Sequence, residues 1–145
     1  MTLHAALLAF LSALSPQAPK MHDTPVILAS IEQVVSEEKT TIFGSPKADA
    51  IVLTATAFFE SGMRLHVVGD HGTARGAFQL HSRAGDGNAL VQTRAALGHL
   101  RRDKAVCWDL PMAAYCSGNC IHGRRQGRYR MTIIMRALKR AKLAS

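Results

Sequence analysis

The sequence offers little to a bilayer. Its N-terminal apolar run, Ala5 to Leu14 (AALLAFLSAL), is too short to span one. No Lys or Arg precedes that run, and Pro16 sits where an export signal would be cleaved. Two readings of it stay open. One is a weak export signal; the other, which we prefer, is an amphipathic first helix ended by Ser15-Pro16. No internal repeat and no low-complexity segment is visible, which sets aside repeat architectures. Cysteine is scarce and odd in number: Cys107, Cys116 and Cys120 cannot all pair within one chain. Their spacing, Cys-x8-Cys-x3-Cys-x-His with His122, matches no common zinc pattern, so no metal or cofactor is expected. Acid is missing from the C-terminal stretch. Ser117 to Ser145 holds eight Lys/Arg residues and no Asp or Glu.

What is present describes a folded domain. A chain of 145 residues fits one compact unit, and 48% apolar residues are ample for its core. The net charge of +8 and pI near 10.0 point to a polyanionic partner: nucleic acid, an anionic membrane or a cell wall. A basic tail is also, commonly, just a solvated helix face.

Gln17 to Thr24 reads as a connector, so residues 1–24 are set apart from a main domain of 25–145. Pro25 can open a helix, and Ile27, Ile31, Val34 and Val35 form a helical stripe within Val26 to Glu38. Lys47 to Ser61 is the next helix, favoured over a strand by its length and alanines and stopped by Gly62. Gly69, Gly72 and Gly76 then change the character of the chain. Leu65 to Val68 and Ala77 to Leu80 are candidate short strands around an Asp70-His71-Gly72 turn, or an irregular loop. Asn88 caps a helix to about Lys104, with Leu90, Leu97 and Leu100 inward and Arg94 and Arg101 outward. Trp108 to Tyr115 is a short helix, His122 to Gly127 a polar loop, and Tyr129 to Leu143 the last helix. The fold class expected is α+β, mostly α.

Glu60 is the residue with chemical promise. It ends an apolar helix directly after Phe58-Phe59, where partial desolvation disfavours the charged form, as a general acid requires. Glu60-Ser61-Gly62 is followed by Gly76-Ala77-Phe78-Gln79, beginning 16 residues past Glu60, and later by Ala114-Tyr115-Cys116-Ser117-Gly118. In this the chain resembles the lysozyme-like lytic transglycosylases of the soluble-lytic and bacteriophage type. Those have a Glu-Ser pair closing a helix, a Gly-x-x-Gln segment and an Ala-Tyr-Asn-Ala-Gly segment, in that order. Here Cys116 and Ser117 replace the Asn and Ala.

The resemblance implies a lysozyme-like fold with a small hairpin after the catalytic helix. It also implies a peptidoglycan glycan strand as substrate. Glu60 would protonate the bond between N-acetylmuramic acid and N-acetylglucosamine. It would then take the proton of the muramyl 6-hydroxyl, which closes on C1 to leave a 1,6-anhydro end. Ser61 would place substrate or orient Glu60, and Gln79 would line the cleft, with Phe78 as a sugar-facing surface. Tyr115 would contact the catalytic carboxylate. Gly76 and Gly118 belong to the two motifs, and His81 would border the cleft.

Two rivals stand beside this reading. A muramidase would need a second carboxylate about 6.5–9.5 Å from the first to activate water, and Asp70 or Asp86 would serve. A basic binding module for wall or nucleic acid would use the C-terminal charge. No zinc-finger, RNA-recognition or helix-turn-helix signature accompanies that charge, and nucleic acid is not expected as a partner. Neither is stable membrane insertion. A Cys107–Cys120 bridge is preferred over Cys116–Cys120, which closes a tight loop. Either suits an extracytoplasmic site of action: periplasm, cell envelope or phage virion.

Overall fold

The computed structural model describes residues 1–144. Its fold is α+β, mostly α, with one small antiparallel sheet. Six helices carry it: α1 Leu3–Leu14, α2 Thr24–Ser36, α3 Pro46–Ser61, α4 Ala89–Val106, α5 Pro111–Ser117 and α6 Arg124–Arg140. Between α3 and α4 lie β1 Val68–Gly69 and β2 Ala74–Arg75, paired Val68 to Arg75 and Gly69 to Ala74.

The helix starts follow local chemistry. The hydroxyls of Thr2 and Ser45 and the amide oxygen of Asn88 accept backbone N–H bonds at the heads of α1, α3 and α4. Pro25, Pro46 and Pro111 sit in first turns, where a missing N–H costs nothing. Asp23, at the head of α2, instead spends its carboxylate on the Leu65 N–H, 2.8 Å away. That ties the start of α2 to the chain leaving α3.

Helix α3 is the axis of the molecule. Every residue from Asp49 to Ala57 is buried, which is the condition of a helix apolar all round. Thr54 and Thr56 are tolerated because their hydroxyls donate back to Ala50 and Val52 carbonyls. Helices α1 and α2 pack on α3, and α6 packs on α1 and α5. Leu7, Phe10 and Leu11 of α1 join the same apolar cluster as Ile27, Leu53 and Ile134. The N-terminal run thus contributes side chains to the main core.

Three boundaries differ from the sequence expectation. The strands are shorter and lie nearer the turn, because Asp70 and His71 as well as Gly72 adopt positive φ and close the hairpin tightly. Trp108 lies outside α5, which begins at Pro111. Helix α6 begins at Arg124, not Tyr129, because Gly123 and Gly127 lie flush against α5. A Cβ on Gly123 would fall 1.9 Å from the Ala113 carbonyl oxygen. Cys107 is bonded to Cys120, which links the end of α4 to the approach to α6, and Cys116 is a free thiol.

A buried carboxylate pair lies behind α3. Asp49 accepts N–H bonds from Ile42 and Phe43 at 2.8 and 2.7 Å, and Glu38 pairs with Arg101 at 3.1 Å. Burial, and then the neighbouring Asp49, hold the Glu38 carboxyl up at about 7. A carboxyl raised by folding binds its proton more tightly in the native state. Its contribution is full below the ordinary carboxylate range and is lost as pH rises through about 7. Chemical denaturation should show stability falling between pH 5 and 8, with Glu38→Gln flattening that fall. An equally steep fall in the variant would place the titration elsewhere.

Candidate active site

Glu60 stands in the last turn of α3, which Gly62 closes in the left-handed conformation at φ 64°. Its carboxylate is largely covered, with the side chain 17% exposed. The partner is Arg130 of α6, whose guanidinium donates to Glu60 Oε1 and is itself only 10% exposed. Arg130 also lies over the Phe59 ring, 5.2 Å from its centroid. The desolvation expected from the Phe pair is therefore accompanied by a counter-charge that the sequence reading did not assign. A signal for it existed. Gly127, Arg130, Ile134 and Ala137 are all buried and share one helical face of α6.

The second motif is folded under the hairpin. Gly76 has φ 84°, and a Cβ there would fall 2.4 Å from Gln92 Oε1. Phe78, expected to face sugar, is instead 1% exposed and part of the core, because burying its ring outweighs any use as a platform. Gln79, at φ 49°, donates its amide N–H groups to the Val67 and Gly76 carbonyls at 3.1 and 3.0 Å. Its Oε1 lies against Gly69, where a Cβ would clash at 2.3 Å. The amide thus braces the hairpin, rather than projecting freely into a cleft.

Ser61 is also buried. Its hydroxyl donates to Ala57 O at 2.9 Å and accepts from Arg64 N at 3.0 Å. It holds the turn that follows Glu60 and makes no bond to the Glu60 carboxylate.

Tyr115 comes from α5 and donates its hydroxyl to the Phe78 carbonyl at 2.7 Å, not to Glu60. Its ring stacks on His99 with centroids 4.9 Å apart. Burial raises its ionisation well above the usual value, and the Glu60 charge raises it further, so it remains a donor. Burial likewise pushes the Cys116 thiol up, with Arg130 opposing and Glu60 assisting. On α4, the hydrogen bond to Asp103 raises His99, against the opposing effect of burial. The second and third motifs are thus in direct contact, and Glu60 lies close enough for its charge to act on the third.

The remaining candidates lie further out. Asp70 is exposed and faces His81, 3.4 Å away, at the hairpin tip. Asp86 is exposed and pairs with Arg75 at 3.2 Å. Gly118 caps α5 in the left-handed conformation, with open space around it. His81 is exposed and lines a cleft of about 450 Å³ with Ser82, His99 and Arg102. Cys107, Cys120 and Asp109 form a compact group, but the sulfurs are bonded to each other.

Gln92 is a residue the sequence reading missed. Fully buried on α4, it accepts from Ala77 N at 2.8 Å and donates to Leu65 O and Gly87 O at 3.2 and 2.8 Å. One amide satisfies three backbone groups of the loop that carries Phe78 and Gln79. Gln92→Ala should cost about 2 kcal/mol in denaturant unfolding, because those groups lose their partner in a dry site. A loss under about 0.5 kcal/mol would mean that water replaces the amide. Comparison with profiles of known families, with curated proteins and with solved structures finds no match.

Proposed function

We propose that this chain cleaves the β-1,4 bond between N-acetylmuramic acid and N-acetylglucosamine in peptidoglycan, without water, as a lytic transglycosylase of lysozyme-like fold. One observation carries the reading. Tyr115 of the third segment bonds directly to the Phe78 carbonyl of the second, and the Glu60 charge acts on Tyr115.

Chemically, Glu60 serves as the only proton carrier. As the strand displaces the Arg130 contact, Glu60 takes a proton from solvent; it gives that proton to the glycosidic oxygen as the bond to C1 breaks, and takes one from the muramyl 6-hydroxyl as the 6-oxygen bonds to C1. Arg130 remains beside Phe59 as the counter-charge once Glu60 is ionised. Tyr115 and Gln92 act on position rather than on protons, holding the Phe78–Gln79 turn against α5 and α4. Support for the anhydro route over hydrolysis comes from Asp70 and Asp86. Both are solvent-exposed and engaged with His81 and Arg75, so neither is held as a water-activating base. Mass analysis of products from purified murein tests the reading: anhydromuramyl ends support it, and reducing ends replace it with a muramidase.

A further inference from the structure

The outward face of α6 takes no part in the site just described, yet it combines charge and apolar surface in an ordered way. Arg128, Met135 and Lys139 follow one another along a single exposed stripe, with Met131 and Thr132 between them. Met135 is 54% exposed. It stands with Met131 between two adjoining grooves of about 700 and 550 Å³. Leu110, Arg128, Arg136 and Lys139 border the first; Phe43, Lys47 and Leu138 border the second.

At the head of α6 the Cys107–Cys120 bridge brings two chain segments to a Cα separation of 5.2 Å. Each segment carries a large apolar residue just beyond its cysteine, Trp108 and Ile121, and each of these is 79% exposed. The nearby acid, Asp109, is neutralised by Arg124. Among the described residues, no acid lies within ion-pairing reach of Arg125, Arg128, Arg136, Lys139, Arg140 or Lys142.

We propose that this face is a docking surface for an anionic lipid bilayer, with the cations on the headgroups and Met135, Trp108 and Ile121 entering the interfacial layer. The charge complementarity selects an anionic partner. The methionine stripe and the exposed Trp–Ile tip select lipid over a plain polyanion, since a phosphate polymer gains nothing from apolar side chains. The attachment lies on the surface and does not span, because among the described residues no helix is long and apolar enough to cross a membrane. It is independent of the glycan-cleaving reading and needs no murein to test.

The experiment is co-sedimentation of the full chain with vesicles of phosphatidylcholine mixed equally with phosphatidylglycerol, and with phosphatidylcholine alone. Tryptophan emission is read in parallel, because Trp108 is the only tryptophan in the sequence and is exposed. The expected result is binding to the mixed vesicles only, with a blue shift of Trp108. Lys139→Gln should weaken the partition about fivefold, and Met135→Asp about tenfold or more. Both positions are exposed, and far-UV circular dichroism checks their folding; Trp108→Ala read by sedimentation provides a further variant. Equal binding to neutral vesicles, or no binding, overturns the proposal. So does binding that leaves Trp108 unshifted, ignores Met135→Asp and is abolished by polyphosphate, which would mark a polymer site. A dimer lost on Met135→Asp, without vesicle binding, would show that a second copy covers the face and would equally overturn it.

Discussion

Murein incubated with the Glu60→Gln protein should release about one hundredth or less of the muropeptides released by wild type. The substitution keeps the shape of the side chain and an acceptor for Arg130, so the α3 terminus and the α6 contact persist. What it removes is the proton. Loss of a positioned general acid typically costs 10²- to 10⁴-fold, and with no second carrier engaged the larger part of that range is expected. Asp70→Asn and Asp86→Asn should each stay within about threefold of wild type, because those carboxylates face His81 and Arg75 at the exposed hairpin and loop. Turbidity clearance, with product mass as the second readout, decides the matter. A Glu60→Gln protein that clears murein at the wild-type rate removes the catalytic proposal. A collapse with Asp70→Asn instead moves the chemistry to water.

Removing the other half of the ion pair should be felt first in stability. Arg130→Ala leaves a largely covered carboxylate without its counter-charge and strips a cation from the Phe59 ring. An uncompensated charge of this kind costs about 3 kcal/mol. For a chain of this length that lowers the melting temperature by roughly 10 °C. The double variant Arg130→Ala with Glu60→Gln should recover part of the loss, since neither charge is then stranded. A cycle in which the two changes simply add would show that Glu60 and Arg130 are solvated independently.

The two variants separate function from folding at one contact. Glu60→Gln should abolish cleavage, with a stability loss softened by the amide oxygen it leaves for Arg130, whereas Arg130→Ala leaves Glu60 with no donor and should cost more stability. A pair that served structure alone would leave a folded Glu60→Gln protein as active on murein as wild type.

The element order was largely legible in the residues. The cap at Asn88, the stop at Gly62, the apolar spacing of α2 and the length and alanines of α3 are local signals, and local signals survive in a sequence. The short helix at α5 and the small hairpin were also legible in kind, though not in register. Two adjacent positive-φ residues, Asp70 and His71, are set by closure of the hairpin against Gln79, and no neighbouring residue type announces them. The start of α6 was hidden for a similar reason. Gly123 and Gly127 read as loop punctuation until α5 is seen resting on them.

The candidate site was legible as a set of positions but not as a set of contacts. Glu60, Gln79 and Tyr115 could be picked out by motif, whereas Arg130 and Gln92 could not be given partners. Arg130 was counted as one cation in a basic tail and is the one buried against Glu60, 70 residues away in sequence. Gln92 sat unremarked in a helix and holds three backbone groups of the motif loop. Phe78 moved in the opposite sense, from a supposed surface for sugar to the core.

By itself, then, the sequence determined the helical class, the caps and stops of its elements, the placement of one carboxylate at the end of an apolar helix, and the excess of positive charge toward the C-terminus. Those depend on spacing and on interactions reaching no further than a turn or two. Only the tertiary structure decided which cation neutralises Glu60, which amide supports the Gly76–Gln79 turn, and which of the many Arg and Lys side chains face outward beside Met135. Such choices turn on burial. A charge or amide in a dry interior must find its partner there, and which residues lie in that interior emerges only when distant helices have packed.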